Sequence, residues 1–355
     1  MSMNSFHHCD PWPRYPQIGR SQLLGVIRGH MLILRTYLES VKTLRHPMRR
    51  IAGIFETRGR HAGGRSISLR SMDTEHVRWT PSGVRLRLHQ RRDGDVSWLF
   101  LPGGPGIGSE SLRELVDAVA VPGCSWLVDL PGDGSNTNAP GAPADPYHLW
   151  PEVSLEAAQA VDRPVYVGHS TGGEYLLATA ALDGMLEGIV LISTAPDASW
   201  MPVYEEMTIN NPLPGVAEAT ARYDADPTNE NLRELAVQSA PWNFPASSLA
   251  MGAELLGRMP YNMRAAQWSD RHFDRDYELA WWPTTLPTLI VSGSADRIVT
   301  QTLWQPDRFH THNVIWSVIP EAGHFPWIER PDAVRDAFAQ LAQRIGINRS
   351  PSAPD

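Results

Sequence analysis

The chain has 355 residues, of which 42% are hydrophobic, and its formal net charge at pH 7 is −8. This length allows one large globular domain or two modest ones, and no apolar run approaches the ~20 residues of a transmembrane helix, which argues against an integral membrane segment. The cysteines, Cys9 and Cys124, are not at ligand or redox spacing, so the sequence predicts no disulfide framework and favours a cytoplasmic location.

The charge is divided unevenly between an N-terminal extension and the rest of the chain. Residues 1–65 carry 11 Lys and Arg against 3 Asp and Glu, whereas the other 290 residues carry 20 against 36. The acidic part argues against a nucleic-acid partner, since phosphate contacts require a basic surface. We expect the basic extension, residues 1–71, to be poorly ordered or dispensable, because it cannot bury enough apolar surface to offset its ordering entropy. The alternative is a helix over residues 18–44 that packs on the mouth of a cap over the substrate pocket and closes that pocket, or that contacts an anionic membrane surface through its arginines.

Three predicted strands open the globular part, at residues 76–79, 84–89 and 96–101. The third strand leads into a glycine-rich loop, Pro-Gly-Gly-Pro-Gly at residues 102–106. Glycine leaves the backbone N–H groups of such a loop accessible, and an accessible N–H can stabilise a developing oxyanion. A phosphate-binding loop is the alternative, but the segment lacks a Lys-Ser/Thr pair and the Gly-x-Gly-x-x-Gly spacing.

The fourth predicted strand ends in a second tight turn, Asp-Leu-Pro-Gly-Asp-Gly-Ser at residues 129–135. Its two carboxylates, Asp129 and Asp133, are short enough to hydrogen-bond neighbouring backbone N–H groups. We therefore predict that both cap this turn and that neither takes part in catalysis.

The most informative segment is Val-Tyr-Val-Gly-His-Ser-Thr-Gly-Gly at residues 165–173. An apolar strand passes through a Gly-x-Ser-x-Gly elbow into an alanine-rich helix, predicted over residues 174–182. Because the two glycines remove side chains that would clash in so sharp a turn, we expect the hydroxyl of Ser170 to stand exposed as a nucleophile. The N–H of Thr171, at the start of the helix, is a candidate oxyanion donor. A strand-to-helix turn without chemistry is the alternative.

About 90 residues separate the sixth predicted strand, 188–193, from the seventh, which begins at Leu286. One crossover helix needs far fewer, so we predict a mainly helical insertion over residues 196–285 that caps the nucleophile. The insertion is rich in aromatic residues, most of which are expected to hold it together. We expect it to close a largely apolar pocket for a small-molecule substrate, with Trp200 and Trp327 as substrate-binding residues.

A serine nucleophile needs a histidine base and a carboxylate that orients the histidine. The seventh strand ends in a small-residue turn that carries Asp296, and the eighth, residues 313–320, is followed by His324. Like Ser170, both lie just after the C-terminal end of a predicted strand, and we select them as acid and base. Asp197, after the sixth strand, is the alternative acid.

The remaining histidines receive other interpretations. His169 lies inside the elbow and is predicted to pack there rather than to act as the base. His310 and His312 have no carboxylate or cysteine at ligand spacing, so we expect no metal site.

These motifs, in this order, resemble those of the α/β-hydrolases over roughly residues 76–346. The order of nucleophile, acid and base is the one that this fold follows, and the turn after the fourth strand is similar to the family's Asp-x-x-Gly-x-Gly turn. The resemblance implies a mostly parallel central sheet flanked by helices, with a core made of residues 72–195 and 286–348. It implies no cofactor.

The resemblance also assigns the second oxyanion donor, which would act together with Thr171, to Gly104. Family members usually carry a histidine where this chain has Pro102, and that histidine typically orders the loop. Its replacement puts the geometry of the loop in question but leaves the donor in place.

Within the family, the glycine loop is similar to the His-Gly-Gly-Pro-Gly of proline iminopeptidases, and Glu205 and Glu206 could hold the amino terminus of a substrate. Those enzymes, however, usually have Trp after the nucleophile and a Gln-Arg turn after the fourth strand, where this chain has Thr171 and Leu130-Pro131. The His-Phe-Pro-Trp-Ile-Glu segment that begins at His324 is more similar to capped esterases and C–C bond hydrolases.

We therefore expect a cofactor-free serine hydrolase that forms an acyl-enzyme with a small, largely apolar carboxylic ester. The alternatives are a proline iminopeptidase-like aminopeptidase, a C–C bond hydrolase and, from another class, a hydrolase-fold ligand receptor with little turnover. A homodimer is compatible with the sequence.

Overall fold

An eight-stranded sheet lies at the centre of the computed structural model, which describes residues 76–346. The predicted extension, residues 1–71, lies outside the described residues. The strands follow the order β1-β2-β4-β3-β5-β6-β7-β8 across the sheet. They are β1 (Val77–Trp79), β2 (Arg85–Arg91), β3 (Ser97–Leu101), β4 (Cys124–Asp129), β5 (Pro164–His169), β6 (Gly188–Ile192), β7 (Thr288–Gly293) and β8 (Val314–Ile319).

The sheet is mostly parallel, as predicted. Strand β2 is antiparallel to both of its neighbours, β1 and β4, and the remaining adjacent pairs are parallel. The helices that surround the sheet are α1 (Arg113–Val119), α2 (Trp150–Gln159), α3 (Thr171–Leu177), α4 (Trp200–Asn210), α5 (Pro214–Ala225), α6 (Asn229–Gln238), α7 (Ala240–Asn243), α8 (Leu249–Gly257), α9 (Met263–His272), α10 (Pro326–Glu329) and α11 (Pro331–Ile345).

Both faces of the sheet are covered, which explains why its central strands are continuous apolar runs. Successive side chains of a strand point to opposite faces. In β3, Trp98 and Phe100 belong to one hydrophobic cluster, and Leu99 and Leu101 belong to the other. Helices α1 and α11 cover the first face, where Phe338 stacks on Phe100 with ring centroids 6.4 Å apart. Helices α2 and α3 cover the second face.

Helix α3 ends earlier than its composition predicts. The prediction of one helix over residues 174–182 is wrong after Leu177, and a short 3-10 turn, Ala180–Leu182, follows. The carbonyl of Leu176 accepts a hydrogen bond from the indole N–H of Trp281 (2.8 Å), and the carbonyl of Leu177 accepts one from the N–H of Ala280 (3.0 Å). These distant donors take the carbonyl groups that a longer helix would have used internally.

Six helices, α4 to α9, occupy the predicted insertion between β6 and β7. They are less deeply buried than the sheet, since α4 and α6 contain no fully buried residue. No helix within residues 76–346 combines the length and the apolar character that crossing a membrane would require.

The fold brings the candidate site together at one edge of the sheet. In a parallel sheet, the loops that follow the carboxyl ends of the strands lie on the same side. The glycine loop follows β3, Ser170 follows β5, Asp296 follows β7 and His324 follows β8. The architecture thus places the four predicted parts of the site at a common edge.

Candidate active site

Ser170 lies between β5 and α3 in a strained backbone conformation. Its φ of 51° and ψ of −130° fall outside the regions that an L-residue adopts readily, which costs about 1–3 kcal/mol. Its N–H donates to the carbonyl of Ile192 at 2.9 Å. Its own carbonyl accepts from the N–H of Gly173 at 2.9 Å and from the hydroxyl of Thr194 at 2.7 Å. The end of β6 and the start of α3 therefore hold the elbow in shape.

The glycines of the elbow are required by close packing. A Cβ on Gly168 would lie 2.5 Å from the Cα of Gly173, and a Cβ on Gly172 would lie 2.3 Å from the carbonyl oxygen of Pro102. Both neighbours are backbone atoms, which cannot move aside as a flexible side chain can. The elbow sequence is thus the one that this packing admits.

Asp296 and His324 are paired. Nδ1–H of His324 donates to Oδ2 of Asp296 at 2.9 Å, and both side chains are buried, with exposures of 5% for the histidine and 0% for the aspartate. The other carboxylate oxygen accepts from the N–H groups of Ile298 (2.8 Å) and Val299 (3.1 Å). These bonds fix the carboxylate, and the carboxylate fixes the orientation and the tautomer of the imidazole.

His169 connects the elbow with the loop that carries His324. Its Nε2–H donates to the backbone carbonyl of His324 at 3.0 Å, and its ring lies 4.9 Å from the rings of both His324 and Trp327. Burial lowers the pKa of His169 well below its ordinary value, and the proximity of His324 adds to this shift. The residue before Ser170 therefore positions the backbone of His324 through this hydrogen bond.

The glycine loop lies against the elbow. A Cβ on Gly103 would lie 2.6 Å from the Cβ of Ser170 and 3.1 Å from the backbone nitrogen of Thr171. Thr171 is the first residue of α3, so its N–H has no acceptor within the helix. Gly103 and Ser170 make this contact. The two predicted oxyanion donors, Gly104 and Thr171, are the next residues in the chain.

Comparison with known families agrees with this architecture. The sequence model described as the alpha/beta hydrolase family matches residues 98–337. The chain belongs to the alpha/beta hydrolase family. No curated protein matches the chain.

Solved structures of other alpha/beta hydrolases share this fold. A proline iminopeptidase of Mycobacterium smegmatis has 19% identity and a TM-score of 0.54, over 76% of this chain and 98% of its own. A thermophilic esterase of Thermogutta terrifontis has 17% identity and a TM-score of 0.53, over 76% and 99%. A meta-cleavage product hydrolase of Pseudomonas fluorescens IP01 has 18% identity and a TM-score of 0.54, over 76% and 97%. Identities this low establish the fold and not the substrate.

The alternative acid of this alpha/beta hydrolase lies in another environment. Asp197 accepts hydrogen bonds from the N–H and hydroxyl groups of Ser199, and it lies 3.9 Å from Arg308. Its side chain is 35% exposed. The pair with His324 is formed by Asp296 instead.

The structure separates the two predicted substrate-binding tryptophans. Trp200 begins α4 in the insertion, is half-buried and lies 6.0 Å from the ring of Tyr204. Trp327 is only 2% exposed and packs between His169 and Phe325. These contacts of Trp327 lie within the core and support the loop that carries His324.

The prediction that Asp129 caps its own turn is wrong, because its carboxylate binds residues outside the turn. Its carboxylate is fully buried and forms ion pairs with Arg85 (3.0 Å) and Arg87 (3.1 Å) of β2. It also accepts the N–H of Ser109 at 2.8 Å. Local spacing could not reveal these contacts, because β2 pairs with β4 only in the folded sheet.

Sequence reasoning missed three residues that support the site. They are Thr194, which bonds the carbonyl of Ser170, Asn243, whose carbonyl accepts the N–H of His324 at 2.8 Å, and Asn262, whose N–H donates to the carbonyl of Gly106 at 2.8 Å. An asparagine just before a helix is a recognisable N-cap, which would have identified Asn262 as structural but not as a partner of the glycine loop. Within residues 76–346, no group of three or more His, Cys, Asp or Glu residues is arranged to hold a metal ion.

Proposed function

We propose that this alpha/beta hydrolase is a serine hydrolase that acts through an acyl-enzyme on a small, largely apolar carboxylic ester. The observations that support this proposal most are the buried hydrogen bond of 2.9 Å between His324 and Asp296 and the strained backbone conformation of Ser170 in the nucleophile elbow. A buried carboxylate that fixes the tautomer of the imidazole is the arrangement that a histidine base requires.

In the first half of the proposed reaction, the hydroxyl oxygen of Ser170 attacks the ester carbonyl while Nε2 of His324 takes the hydroxyl proton. The imidazolium that forms is stabilised by the carboxylate of Asp296. The N–H groups of Thr171 and Gly104 stabilise the tetrahedral oxyanion. Collapse of this intermediate breaks the C–O bond of the ester, and His324 returns the proton to the departing alcohol.

In the second half, water replaces the alcohol. His324 takes a proton from the water, the resulting hydroxide attacks the acyl carbon, and the acid product leaves as Ser170 recovers its proton. Both halves use the same oxyanion donors. Because Ser170, His324 and water carry every bond-making and proton-transfer step, the proposed reaction requires no cofactor.

The substrate preference is proposed from the surroundings of the site. The insertion is rich in aromatic residues, and Trp200 is the proposed contact for the substrate, since an apolar lining would favour an uncharged acyl group. An iminopeptidase would need a carboxylate for the substrate's ammonium group. The side chain of Glu205 is instead 55% exposed and lies 3.5 Å from Arg275, and Glu206 is exposed, so the contacts of this pair favour the ester over the peptide.

Labelling with a fluorophosphonate probe tests the proposed function. We expect the wild-type protein to be labelled at Ser170, and the Ser170→Ala variant to remain unlabelled. A screen of p-nitrophenyl esters, aminoacyl-naphthylamides and a vinylogous 1,5-diketone then separates the ester, peptide and C–C bond activities. Labelling without turnover of any of these would favour a ligand receptor, and the absence of labelling would refute the nucleophile.

A further inference from the structure

The loop that carries the proposed donor Gly104 needs support from outside. Glycines occupy positions 103, 104, 106 and 108, and Gly104, Gly106 and Gly108 have φ angles of 123°, 94° and 74°. Glycine loses more conformational freedom on ordering than any other residue. A loop of this composition therefore holds an N–H group in place only where other groups fix it. Pro102, which precedes the loop, has no N–H of its own to contribute.

Both backbone polar groups of Gly106 are taken by distant residues. Its N–H donates to Oδ1 of Asp133 at 2.9 Å, in a buried contact, and its carbonyl accepts from the N–H of Asn262 at 2.8 Å. A Cβ at Gly106 would lie 2.5 Å from the carbonyl oxygen of Asn262. The loop is thus held between the turn that follows β4 and the residue that precedes α9 of the insertion.

Asn262 is itself anchored on both sides of this contact. Its Nδ2 donates to the carbonyl of Gly132, in the same turn as Asp133, and its Oδ1 accepts from the N–H of Arg264 at 3.1 Å as the N-cap of α9. Its exposure is 7%. One side chain therefore joins the insertion to the turn that holds the loop.

Asp133 differs from the neighbouring Asp129 in its partners. Asp129 forms ion pairs with two arginines, whereas the hydrogen bonds that the Asp133 side chain accepts come from backbone N–H groups of Gly106 and Gly134. Burial raises the pKa of Asp133 to about 8, and the charge of Asp129 adds to the shift. Burying a carboxyl group without a cationic partner costs free energy. In this place the group accepts the hydrogen bond from the glycine loop.

We propose that Asp133 and Asn262 are positioning residues for the oxyanion hole, which hold the glycine loop against the elbow by fixing Gly106 from the core and from the insertion. This inference rests on the proposed function, because it assigns the N–H of Gly104 to the oxyanion. Gly106 lies two residues after Gly104, so releasing it lets the donor move away from Ser170. The insertion is thereby coupled to the donor through the two hydrogen bonds that Asn262 donates, to Gly106 and to Gly132.

The test compares four variants of the full chain with the wild type. Asp133→Ala removes the acceptor of the Gly106 N–H, whereas Asp133→Asn keeps an acceptor oxygen of the same size. Asn262→Asp keeps the helix N-cap but replaces the donor to Gly132 by a carboxylate oxygen. Asn231→Ala is the control, since Asn231 also donates its side-chain amide to a backbone carbonyl of the insertion, that of Asp226 (2.7 Å), away from the loop.

The first readout is the hydrolysis of a p-nitrophenyl ester, expressed as kcat per site titrated with the fluorophosphonate so that unfolded protein is not counted. Loss of one oxyanion donor costs about 10²–10³ in kcat. For a displaced donor we expect Asp133→Ala to lower kcat about tenfold to hundredfold and Asn262→Asp about tenfold, with KM changed less than about threefold. Asp133→Asn should restore at least about a third of the wild-type kcat, and Asn231→Ala should leave kcat unchanged.

The second readout does not depend on activity. Hydrogen–deuterium exchange of the peptide that contains Gly106 should be slow in the wild type, faster in Asp133→Ala and slow again in Asp133→Asn. The positioning role is overturned if Gly106 exchanges freely in the wild type, if kcat of Asp133→Ala stays within twofold of wild type, or if Asp133→Asn fails to rescue. Failure of wild-type labelling at Ser170 would instead refute the proposed hydrolase while the exchange result still decides whether Asp133 holds the loop.

Discussion

The sheet and the insertion contribute to the candidate site in different ways. Central residues such as Val167 of β5 and Leu191 of β6 have no exposed surface, whereas α4 and α6 of the insertion contain no fully buried residue. Yet the insertion supplies the carbonyl of Asn243 that accepts the N–H of His324. It also supplies the N–H of Asn262 that bonds Gly106.

The sheet and the insertion therefore position different parts of the site. The elbow and the pair of Asp296 and His324 follow directly from the ends of buried strands, which are the most stable part of a domain. The glycine loop and the loop that carries His324 are additionally held by backbone hydrogen bonds from the insertion, which is less buried than the sheet. We expect movements of the insertion to act on these loops first and to leave the elbow in place.

The largest effect is expected at the elbow. Replacing Ser170 by alanine removes only the hydroxyl, so hydrolysis should fall by about 10⁴-fold or more, while the melting temperature stays within a few degrees of wild type. Ester hydrolysis and thermal unfolding measure the two quantities. Ser199→Ala, which removes a hydroxyl near the start of the insertion, serves as the control, and near-normal turnover by Ser170→Ala would contradict the assignment.

The next effect concerns the residue that orients the base. Asp296→Asn should lower kcat by about 10³–10⁴ because the amide favours the wrong tautomer of the imidazole. Asp197→Asn, at a partly exposed carboxylate, should change kcat by less than about threefold. Steady-state kinetics on one ester decides the ranking, and the reverse order would transfer the role of the acid to Asp197.

The difference in burial should appear as a difference in stability. Leu289→Ala in β7, at a residue with no exposed surface, should lower the free energy of unfolding by about 2–5 kcal/mol. Leu232→Ala in α6, at a partly buried residue, should cost about 1 kcal/mol. Urea denaturation measures both values. Equal losses would mean that the insertion is as tightly packed as the sheet.

The last expected effect is a change in the pH dependence of stability. Burial raises the pKa of Asp133 to about 8 from its ordinary value of 3.8, so between these values the folded protein binds more protons than the unfolded chain. Protonation of Asp133 therefore contributes fully to the free energy of unfolding below about pH 4, and this contribution is lost as the pH rises to 8.

Asp133→Asn cannot titrate, so this loss should be absent. The free energy of unfolding of the variant minus that of the wild type should rise by at least about 1.4 kcal/mol between pH 5 and pH 8. This is the equivalent of one pKa unit. Denaturation at pH 5, 6, 7 and 8 measures the difference. A difference that stays constant over this range would show that Asp133 does not titrate with a raised pKa.

Much of this molecule could be predicted where neighbours in the sequence are also neighbours in space. The elbow is encoded within residues 165–173, and apolar runs identified the strands to within a few residues. The end of α3 could not be predicted in this way, because its last carbonyls are bound by Ala280 and Trp281. The ion pairs of Asp129 likewise depend on the pairing of β4 with β2.

By itself, the sequence determined the mostly parallel sheet, the helical insertion and the strand ends that carry Ser170, Asp296 and His324, because apolar runs and tight glycine turns are local properties of a chain. Only the tertiary structure decided that Asp296 rather than Asp197 pairs with His324. It also decided that Asp133 and Asn262 meet at Gly106. Such contacts join side chains and loops that are distant in the chain, and their geometry is set by the packing of the whole sheet and not by any pattern of neighbouring residues.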